Sequence, residues 1–412
     1  MSVMKRSVQH HYTRRMHERQ GSVPGRSWPR PALGVQSVSP QPSKFVLRTH
    51  MSRHLRVSLF AAATAVFAVV LIDPASSGLA QGPVKVPAAQ SFVEDVRPGP
   101  GVTTVKNLSD YSVAVAGTAG DTRVYILDGR EPGGTMFVAG GTHANEIAGV
   151  MAAVVLVERA RVEKGRLIVV PHANNSAATD VDPERPGPEW ITLGTPSGER
   201  RFKYGSRRTK LPDQGAADPP KYRHPKSDET LDGNEARNLN RAYPGRVDGN
   251  LTERMAAAIM QLLKTEQVDL AFDLHEAGPE SRLAWMVVAN PKNLEVGAAA
   301  VLMLESDGIT MKLEPSSEAF RGLSHREWGD ATKAQAFLFE TPSPGQGADT
   351  RGVDVVNDAR LPLSRRVGVQ LSCLRAVVNA YNEGAASRRS VVLAEVPAEA
   401  EVVKAGVGAF LK

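Results

Sequence analysis

The chain has 412 residues, of which 42% are apolar, 23% charged and 5% aromatic, and its formal net charge is +6. The apolar fraction excludes a wholly disordered protein. The single cysteine, Cys373, excludes an intramolecular disulfide framework and a cysteine-rich zinc module.

The basic excess is confined to the first 80 residues. They hold eleven Lys and Arg against two acids, a local net charge of +9, which leaves about −3 for residues 81–412. Beyond residue 80, the densest basic run lies in a polar segment and lacks the interleaved aromatic residues that stack on bases. The sequence therefore predicts no nucleic-acid partner.

Residues 51–80 have the three parts of a secretory signal peptide. A short basic run precedes the sixteen-residue apolar stretch 57–72, and Gly78 and Ala80 place small residues where a signal peptidase cleaves. At about 1.5 Å per residue, this stretch is marginal for a hydrocarbon core of about 30 Å, so a membrane anchor is the lesser alternative. We expect a leader over 1–80 and an exported protein, periplasmic or secreted, without stable membrane insertion after cleavage.

Strands and helices alternate after a lead-in over 81–121. Apolar runs between turn residues predict strands, and apolar residues spaced by three and four predict helices. In chain order these are strands over 123–127 and 135–139, a helix over 146–161, a strand over 165–170, a helix over 251–264, strands over 268–274 and 283–289, a helix over 294–306, a strand over 334–339 and a helix over 361–382.

This alternation predicts one α/β domain over 122–384, with a mixed, mostly parallel central sheet flanked by helices. A polar insertion over 178–236 interrupts it and is expected to be a long loop. The tail, 385–412, either adds a strand or remains loose.

The first chemical motif, Gly-Gly-Thr-His-Ala-Asn-Glu over 140–146, follows a predicted strand and opens a helix. Ligands bind at such strand ends in α/β sheets. In the first helical turn, His143 and Glu146 would face the same side, so one cation could take both. Alternatively, Glu146 only complements the helix dipole.

A second candidate ligand, His275, lies at the end of a buried strand. Two histidines and one glutamate form a catalytic zinc set that leaves a fourth position open for water. Asp273 shares a strand face with His275 and is placed to orient it as a hydrogen-bond acceptor. The alternative is that His275 only caps a core strand.

Two further motifs carry polar side chains. Asn240 and Arg241 stand before the turn pair Pro244-Gly245, where the guanidinium offers a planar fork for a carboxylate. Glu340 closes an apolar strand, where lost hydration raises a carboxyl pKa toward the general-base range. The alternatives are a solvated arginine and a surface glutamate.

Other polar residues are less specific. A basic cluster in the insertion either rims the pocket for an anionic substrate or forms a solvated face. Three histidines are expected to be structural or solvated. The basic cluster is Arg200, Arg201, Lys203, Arg207, Arg208 and Lys210, and the histidines are His172, His224 and His325.

Four strings in this order, GGTHANE, NLNRAYPG, DLHEAG and FLFETPSP, resemble the succinylglutamate desuccinylase/aspartoacylase family, a branch of the zinc carboxypeptidase-like clan. They are spread over about residues 135–345. The resemblance implies a zinc carboxypeptidase-like fold with one Zn²⁺ per chain, held by His143, Glu146 and His275.

The resemblance also implies that Asn240 and Arg241 grip the substrate's carboxylate or scissile carbonyl. Glu340 would take a proton from the metal-activated water and deliver it to the leaving amine. Several features depart from the family pattern, among them Ala144 in place of a frequent glycine and the insertion over 178–236, which has no clear counterpart. Asn238 stands where an aspartate is frequent, and the further arginine that relatives use near the carbonyl is not evident, with Arg237 as the candidate.

The sequence thus predicts an exported zinc hydrolase that cleaves an amide bond in an N-acyl amino acid or a short peptide. It leaves open whether the enzyme is a deacylase or a carboxypeptidase, which acyl group it removes, and its oligomeric state. The alternative from another class is a catalytically silent ligand-binding domain that retains the fold.

Overall fold

The computed structural model describes residues 95–319, 321–384 and 389–412. The predicted leader and signal peptide lie outside these ranges, so the predicted export stays a prediction. Within the described ranges, no helix is both long and apolar enough to cross a membrane.

Strands and helices alternate through most of the described chain. The strands are β1 Thr104–Asn107, β2 Arg123–Asp128, β3 Glu131–Ala139, β4 Arg161–Val170, β5 Trp190–Thr195, β6 Gly198–Lys203, β7 Lys221–Tyr222, β8 Leu231–Asp232, β9 Leu270–Ala277, β10 Met286–Ala289, β11 Lys312–Pro315, β12 Gln335–Pro342 and β13 Val392–Ala394. The helices are α1 Ile147–Arg159, α2 Asn175–Ala178, α3 Leu211–Gln214, α4 Leu251–Thr265, α5 Leu294–Ser306, α6 Ser324–Ala331, α7 Leu363–Gly384 and α8 Glu399–Ala405.

A large mixed sheet has the strand order β1-β2-β4-β3-β9-β12-β10-β11, and β13 pairs with β4. At its centre, β4, β3, β9 and β12 run parallel to one another. The pairs β1–β2, β2–β4 and β10–β12 toward the edges are antiparallel. The predicted α/β class, with a mixed sheet that is mostly parallel in its centre, is therefore confirmed.

Helices cover both faces of this sheet. Alternate side chains of β3 separate into two cores: Met136 and Val138 pack in one, while Phe137 and Ala139 pack in the other. Helices α1, α5 and α7 contribute to the first core, and α4 and α6 to the second. Burial on both faces explains why the central strands are continuous apolar runs rather than alternating ones.

Most predicted elements occur within a few residues of their expected bounds. Among the elements that were missed are β11 and α6, and α6 is polar in sequence although most of its side chains are buried. The charged residues of α6 pair with one another, which allows them to be buried. The polar composition of α6 therefore did not predict its burial. Arg326, for example, contacts Asp330 at 2.9 Å.

The prediction that residues 178–236 form a loop is wrong. This insertion contains the hairpins β5–β6 and β7–β8 and the short helix α3. Ile191, Leu193 and Phe202 of the first hairpin belong to the main core. In each strand these inward residues alternate with polar and charged residues on the outer face. The outer residues give the segment its polar composition. In the tail, β13 joins the sheet and α8 packs on α7, so the tail adds a strand.

Arg200 ties the first hairpin to α1 by a buried ion pair. Its side chain is 1% exposed. Its Nη1 and Nη2 each lie 2.8 Å from an oxygen of Glu158, and its Nε lies 2.9 Å from Asp95 Oδ2. Arg200 therefore neither lies on a solvated face nor rims a pocket.

We predict that Arg200→Gln lowers the free energy of unfolding by about 3 kcal/mol, because it leaves the Glu158 carboxylate buried without its cation. Denaturant titration measures this change. The matched control is Arg201→Gln on the exposed side of the same strand, expected to change stability by less than about 0.5 kcal/mol. Equal losses in the two variants would contradict a special role for the buried pair.

Candidate active site

The carboxyl ends of three neighbouring parallel strands meet at one edge of the sheet. β9 lies between β3 and β12. In the register, Glu340 of β12 stands opposite His275 of β9, and Ala139 at the end of β3 stands opposite Asp273. Side chains from all three strand ends are thereby brought to the edge where α/β sheets bind ligands.

The turn between β3 and α1 brings His143 and Glu146 to this edge. Gly141 has φ +65°, and a Cβ there would lie 2.9 Å from the carbonyl oxygen of Pro171, so a larger residue does not fit. The N–H of Glu146 donates to the carbonyl of His143 at 3.1 Å. The pair was expected in the first turn of a helix, but α1 begins at Ile147 and Glu146 is its N-cap residue. A tight turn, rather than helical periodicity, aligns the two side chains.

Glu146 bridges the two histidines. Its Oε1 lies 2.7 Å from Nδ1 of His143, and its Oε2 lies 2.8 Å from Nδ1 of His275. All three residues are buried, and one ligand atom of each lies within 4.8 Å of the others. The structure thus brings together the three residues predicted as metal ligands.

The outer nitrogen of each histidine lies close to an oxygen. Nε2 of His143 bonds to Oδ1 of Asn238 at 2.9 Å, whereas Nε2 of His275 lies 2.9 Å from Oδ2 of Asp273 in an ion-pair contact that lacks hydrogen-bond geometry. With Nε2 protonated on both rings, both Nδ1 atoms are available as ligands. Two imidazole nitrogens and one carboxylate form a donor set that fits Zn²⁺.

The amide orientation of Asn238 is fixed by further hydrogen bonds. Its Oδ1 also accepts the N–H of Asn240 at 2.9 Å, and its Nδ2 donates to Oε2 of Glu235 at 2.7 Å. A neutral oxygen therefore accepts from His143. Burial favours the neutral form of Glu235, but the charges of Arg207, Arg241 and Arg208 outweigh it and hold the pKa of its carboxyl at about 2.

The two ligand histidines differ in protonation. Burial and the nearby charge of Arg207 lower the pKa of His143 to about 4, despite the adjacent Glu146. Burial also disfavours a charged His275, but the charges of Asp273 and Glu146 raise its pKa well above the ordinary value. A metal ion bound at Nδ1 would therefore have to displace a proton from this set.

Glu340 lies beside His275 with one oxygen unused. The residue is partly exposed at the strand edge, whereas its Oε2 is enclosed and has no hydrogen-bond partner. Burial, followed by the negative charge of Glu146, raises the pKa of its carboxyl to about 8. A carboxyl group with these properties can exchange a proton near neutral pH.

The guanidinium that reaches the ligand set belongs to Arg207. Its Nη1 lies 3.2 Å from both Nδ1 of His143 and Oε1 of Glu146. Arg237 instead forms a two-bond ion pair with Asp218 and is not part of this cluster. The carbonyl of Ser206 accepts the N–H of Ala144 at 2.9 Å, which docks the Arg207 segment on the ligand turn. In the sequence, Arg207 stood only as one member of the basic cluster that either rims the pocket or forms a solvated face.

Asn240 and Arg241 lie in a 3₁₀ turn next to the ligand set. Oδ1 of Asn240 accepts the N–H of Ser324 at 2.8 Å. Nη1 of Arg241 donates to the carbonyl of Asn240 at 2.7 Å, and its Nε lies 3.7 Å from Glu235. The following Gly245 has φ +75°, and a Cβ there would lie 2.2 Å from the carbonyl oxygen of Glu253. The turn is therefore closely packed against α4.

The remaining histidines lie outside the ligand set. Nε2 of His224 bonds to the carbonyl of Tyr243 at 2.9 Å. His172 is buried, and burial lowers its pKa to about 4. His325 was expected in a polar loop but lies buried in α6, where burial lowers its pKa to about 3. No described contact places any of the three in the ligand cluster.

Comparison with known families addresses the resemblance directly. Residues 224–340 match the succinylglutamate desuccinylase/aspartoacylase catalytic domain. The predicted resemblance is confirmed. The matched segment includes Asn240, Arg241, His275 and Glu340, while His143 and Glu146 precede it.

A relative with a named activity is the N-alpha-acetyl-L-2,4-diaminobutyric acid deacetylase of Halomonas elongata. It is 28% identical over 151 residues, which make up 36% of this chain and 30% of the relative. The similarity therefore spans less than a third of that protein.

Solved structures of related description are also similar. A succinylglutamate desuccinylase from a Silicibacter species has a TM-score of 0.38 and 18% identity, covering 64% of this chain and 61% of that one. A metallo-carboxypeptidase from Burkholderia cenocepacia has a TM-score of 0.43 and 13% identity, covering 69% and 66%.

We predict that Asn238→Leu weakens zinc binding by about 10- to 100-fold, because His143 loses the acceptor that orients its ring. Competition with a chromogenic chelator measures the affinity. The matched control is Asn382→Leu on α7, where the amide bonds only the backbone of Val391 and a change in zinc affinity is not expected. Wild-type affinity in Asn238→Leu would show that this acceptor does not support the site.

Proposed function

We propose that this protein is a zinc-dependent hydrolase that cleaves the amide bond of an N-acyl amino acid. The observation that carries the proposal is the buried set of His143, Glu146 and His275 beside Glu340, whose enclosed Oε2 has no hydrogen-bond partner. The family match and the deacetylase relative support a deacylase. Because that relative is matched over only part of its length, its substrate is not transferred to this chain.

The three ligand residues would hold the zinc ion. When bound, the ion supplies Lewis acidity, which lowers the pKa of water and polarises an amide carbonyl. Asn238 and Asp273 keep the two imidazole rings oriented through their Nε2 atoms. The protein thereby maintains the ligand geometry without further movement of the rings.

Glu340 is the proposed general base and acid. Its free oxygen accepts a proton from the water that attacks the carbonyl carbon and then delivers this proton to the leaving nitrogen. Its raised pKa supports both steps, since the group must gain and lose one proton in each cycle.

Two arginines near the proposed metal ligands are assigned to groups of the substrate that carry or develop negative charge. Arg207, which contacts Glu146 and His143 at 3.2 Å, is placed to donate to the carbonyl oxygen as negative charge develops there. Asn240 and Arg241 are assigned to the substrate carboxylate, for which the guanidinium offers two parallel donors. A catalytically silent binding domain is disfavoured because the proposed metal ligands and the proposed base are all present at one edge of the sheet.

We predict that Glu340→Gln lowers kcat by about 10²- to 10⁴-fold, since the variant cannot accept the proton of water. Hydrolysis is measured on a panel of N-acyl amino acids and short peptides, with bound zinc measured in the same samples. The zinc content should remain at one ion per chain. Glu295→Gln, an exposed glutamate on α5, is the matched control and should keep wild-type rates.

Two outcomes would contradict this assignment. Activity that persists in Glu340→Gln would exclude Glu340 as the base, and activity that ignores chelators would exclude the metal mechanism. Hydrolysis of peptides without hydrolysis of N-acyl amino acids would instead favour a carboxypeptidase.

We also infer export from the signal-peptide pattern over residues 51–80. The expected result is that protein recovered from outside the cytoplasm begins near Gln81 when its N-terminus is sequenced. Recovery of the protein only from the cytoplasm would contradict export, and peptides from residues 1–50 in the exported fraction would contradict a mature start near Gln81.

A further inference from the structure

One edge of β5 carries main-chain groups that its hairpin does not use. β5 and β6 form a two-stranded sheet of their own. The N–H of Tyr204 donates to the carbonyl of Glu189 at 3.1 Å, which continues the register of the pair and places Glu189 on the side that bonds to β6. Because this bonding alternates along an antiparallel strand, the N–H and C=O groups of Trp190 and Thr192 point away from β6.

This outer edge of β5 is covered at one end and open at the other. A Cβ at Gly408 would lie 2.0 Å from the carbonyl oxygen of Gly194, so the 3₁₀ turn Val407–Phe410 lies against the edge there. At Trp190 and Thr192, by contrast, no other segment of the described chain bonds to the main chain. Their two donors and two acceptors are groups that an edge strand can use to pair with another chain.

A groove lies beside the open part of the edge. Its volume is about 660 Å³, with β5 on one side and residues 350–357 on the other. Apolar side chains line both sides, among them Trp190, Pro186, Pro188, Val353 and Val355. A mostly apolar cavity with a few polar groups fixed along one side is typical of a binding site.

The wall opposite β5 is held in place by hydrogen bonds. Oγ1 of Thr350 donates to the carbonyl of Pro186 at 3.0 Å, which joins the two sides of the groove. Oδ1 of Asp354 accepts two N–H groups of the turn that follows it, each at 2.8 Å. The buried Arg366 donates to the carbonyl of Val355. The groove is therefore preformed, and a ligand would not have to order its walls.

The charge beside the groove favours an acidic ligand. The guanidinium of Arg201 and Nζ of Lys203 each lie 5.0 Å from a ring centroid of Trp190. Lys203 contacts Glu189 at 3.0 Å, whereas Arg201 forms no ion pair with a described residue. A carboxylate on a segment next to β5 would supply an anion for this guanidinium.

We propose that this groove binds an extended segment of a different polypeptide, which adds to β5 as a third strand. An extended backbone presents donors and acceptors in the alternation that Trp190 and Thr192 require. Main-chain bonds would then supply affinity, and the groove walls would select the side chains. The inference is independent of the proposed hydrolase, because neither the ligand set nor Glu340 lines the groove.

The test uses a displayed library of random peptides, selected on the wild-type protein and counter-selected on Thr192→Pro. Proline removes the outward N–H of an edge strand and leaves the bonds to β6 intact. We expect selected peptides that carry Asp or Glu and bind Thr192→Pro about tenfold or more weakly, because their acceptor loses its donor. Calorimetry with the synthesised peptide measures this ratio. The matched control, Thr192→Val, keeps the N–H and should bind as the wild type does.

A change in the peptide tests the same bonds without altering the protein. Methylation of alternate backbone nitrogens removes the donors of one peptide edge only. Of the two possible methylated forms, one should lose binding to the wild type and the other should keep it. This result does not depend on the folding of any variant.

Further measurements separate the groove from the candidate active site. Zinc removal and Glu340→Gln should leave peptide binding unchanged, and Thr192→Pro should keep the wild-type rate of hydrolysis. Absence of hydrolysis would therefore contradict the proposed function without affecting the groove. Loss of peptide binding on chelation would place the peptides at the metal ligands and overturn the proposal.

Other results would also overturn strand addition. One is a selection that yields no peptide sensitive to Thr192→Pro, and another is retained binding by both methylated peptides. Analytical ultracentrifugation tests a competing occupant of the same edge. Dimerisation of the wild type that Thr192→Pro abolishes would assign the edge to a second copy of this chain instead.

Discussion

The site depends on one buried carboxylate, that of Glu146. It contacts both ligand histidines and Arg207, and its Oε2 also accepts the N–H of Glu276 at 2.9 Å. A carboxylate without water must find such partners, or burial would neutralise it. Burial does favour the neutral form, but the charges of His143 and His275 lower the pKa of Glu146 well below its ordinary value. This one group fixes the turn after β3 against the end of β9.

A second buried ion pair, formed by a residue of α7, supports this edge of the sheet. Arg366 of α7, fully enclosed, pairs with Glu276 and also donates to the carbonyl of Val355. Gln370, one helical turn further on, donates to the carbonyl of His275 at 2.9 Å. The last long helix therefore holds the side chain of Glu276 and the main-chain carbonyl of His275. These two contacts support the strand end that carries one of the proposed metal ligands.

The sequence predicted those parts of the site that lie in short strings. His143 and Glu146 are three residues apart, and Asp273 and His275 share one strand face, so local geometry nearly suffices to place them. Glu340 was predicted because its motif stands at the end of a strand. The register of the parallel strands then places it opposite His275. The same reasoning misplaced the start of α1 by one residue, since a turn and a helix both bring positions three apart together.

The sequence places Arg207 only in a basic cluster that either rims the pocket or is solvated, and it does not predict the contact with Glu146. The position of Arg207 depends on Asp182, which accepts its N–H and also bonds Asn145 across 37 residues of sequence. The hairpin β5–β6 was missed for a related reason. Its inward residues are spaced by two among charged neighbours, and one of them is Arg200, whose burial is compensated only by Glu158 and Asp95 in distant segments.

The first hairpin and the proposed site share part of their support. Arg207, which contacts Glu146, lies four residues after β6 ends, and Arg200 of β6 is tied to α1 by a buried ion pair. The proposed metal ligands and base instead come from the sheet and from the turn after β3. An insertion whose polar composition is typical of dispensable surface is therefore part of the core. Natural insertions and deletions within it are expected to be rarer than that composition suggests, because loss of the hairpin removes core side chains and displaces Arg207 together.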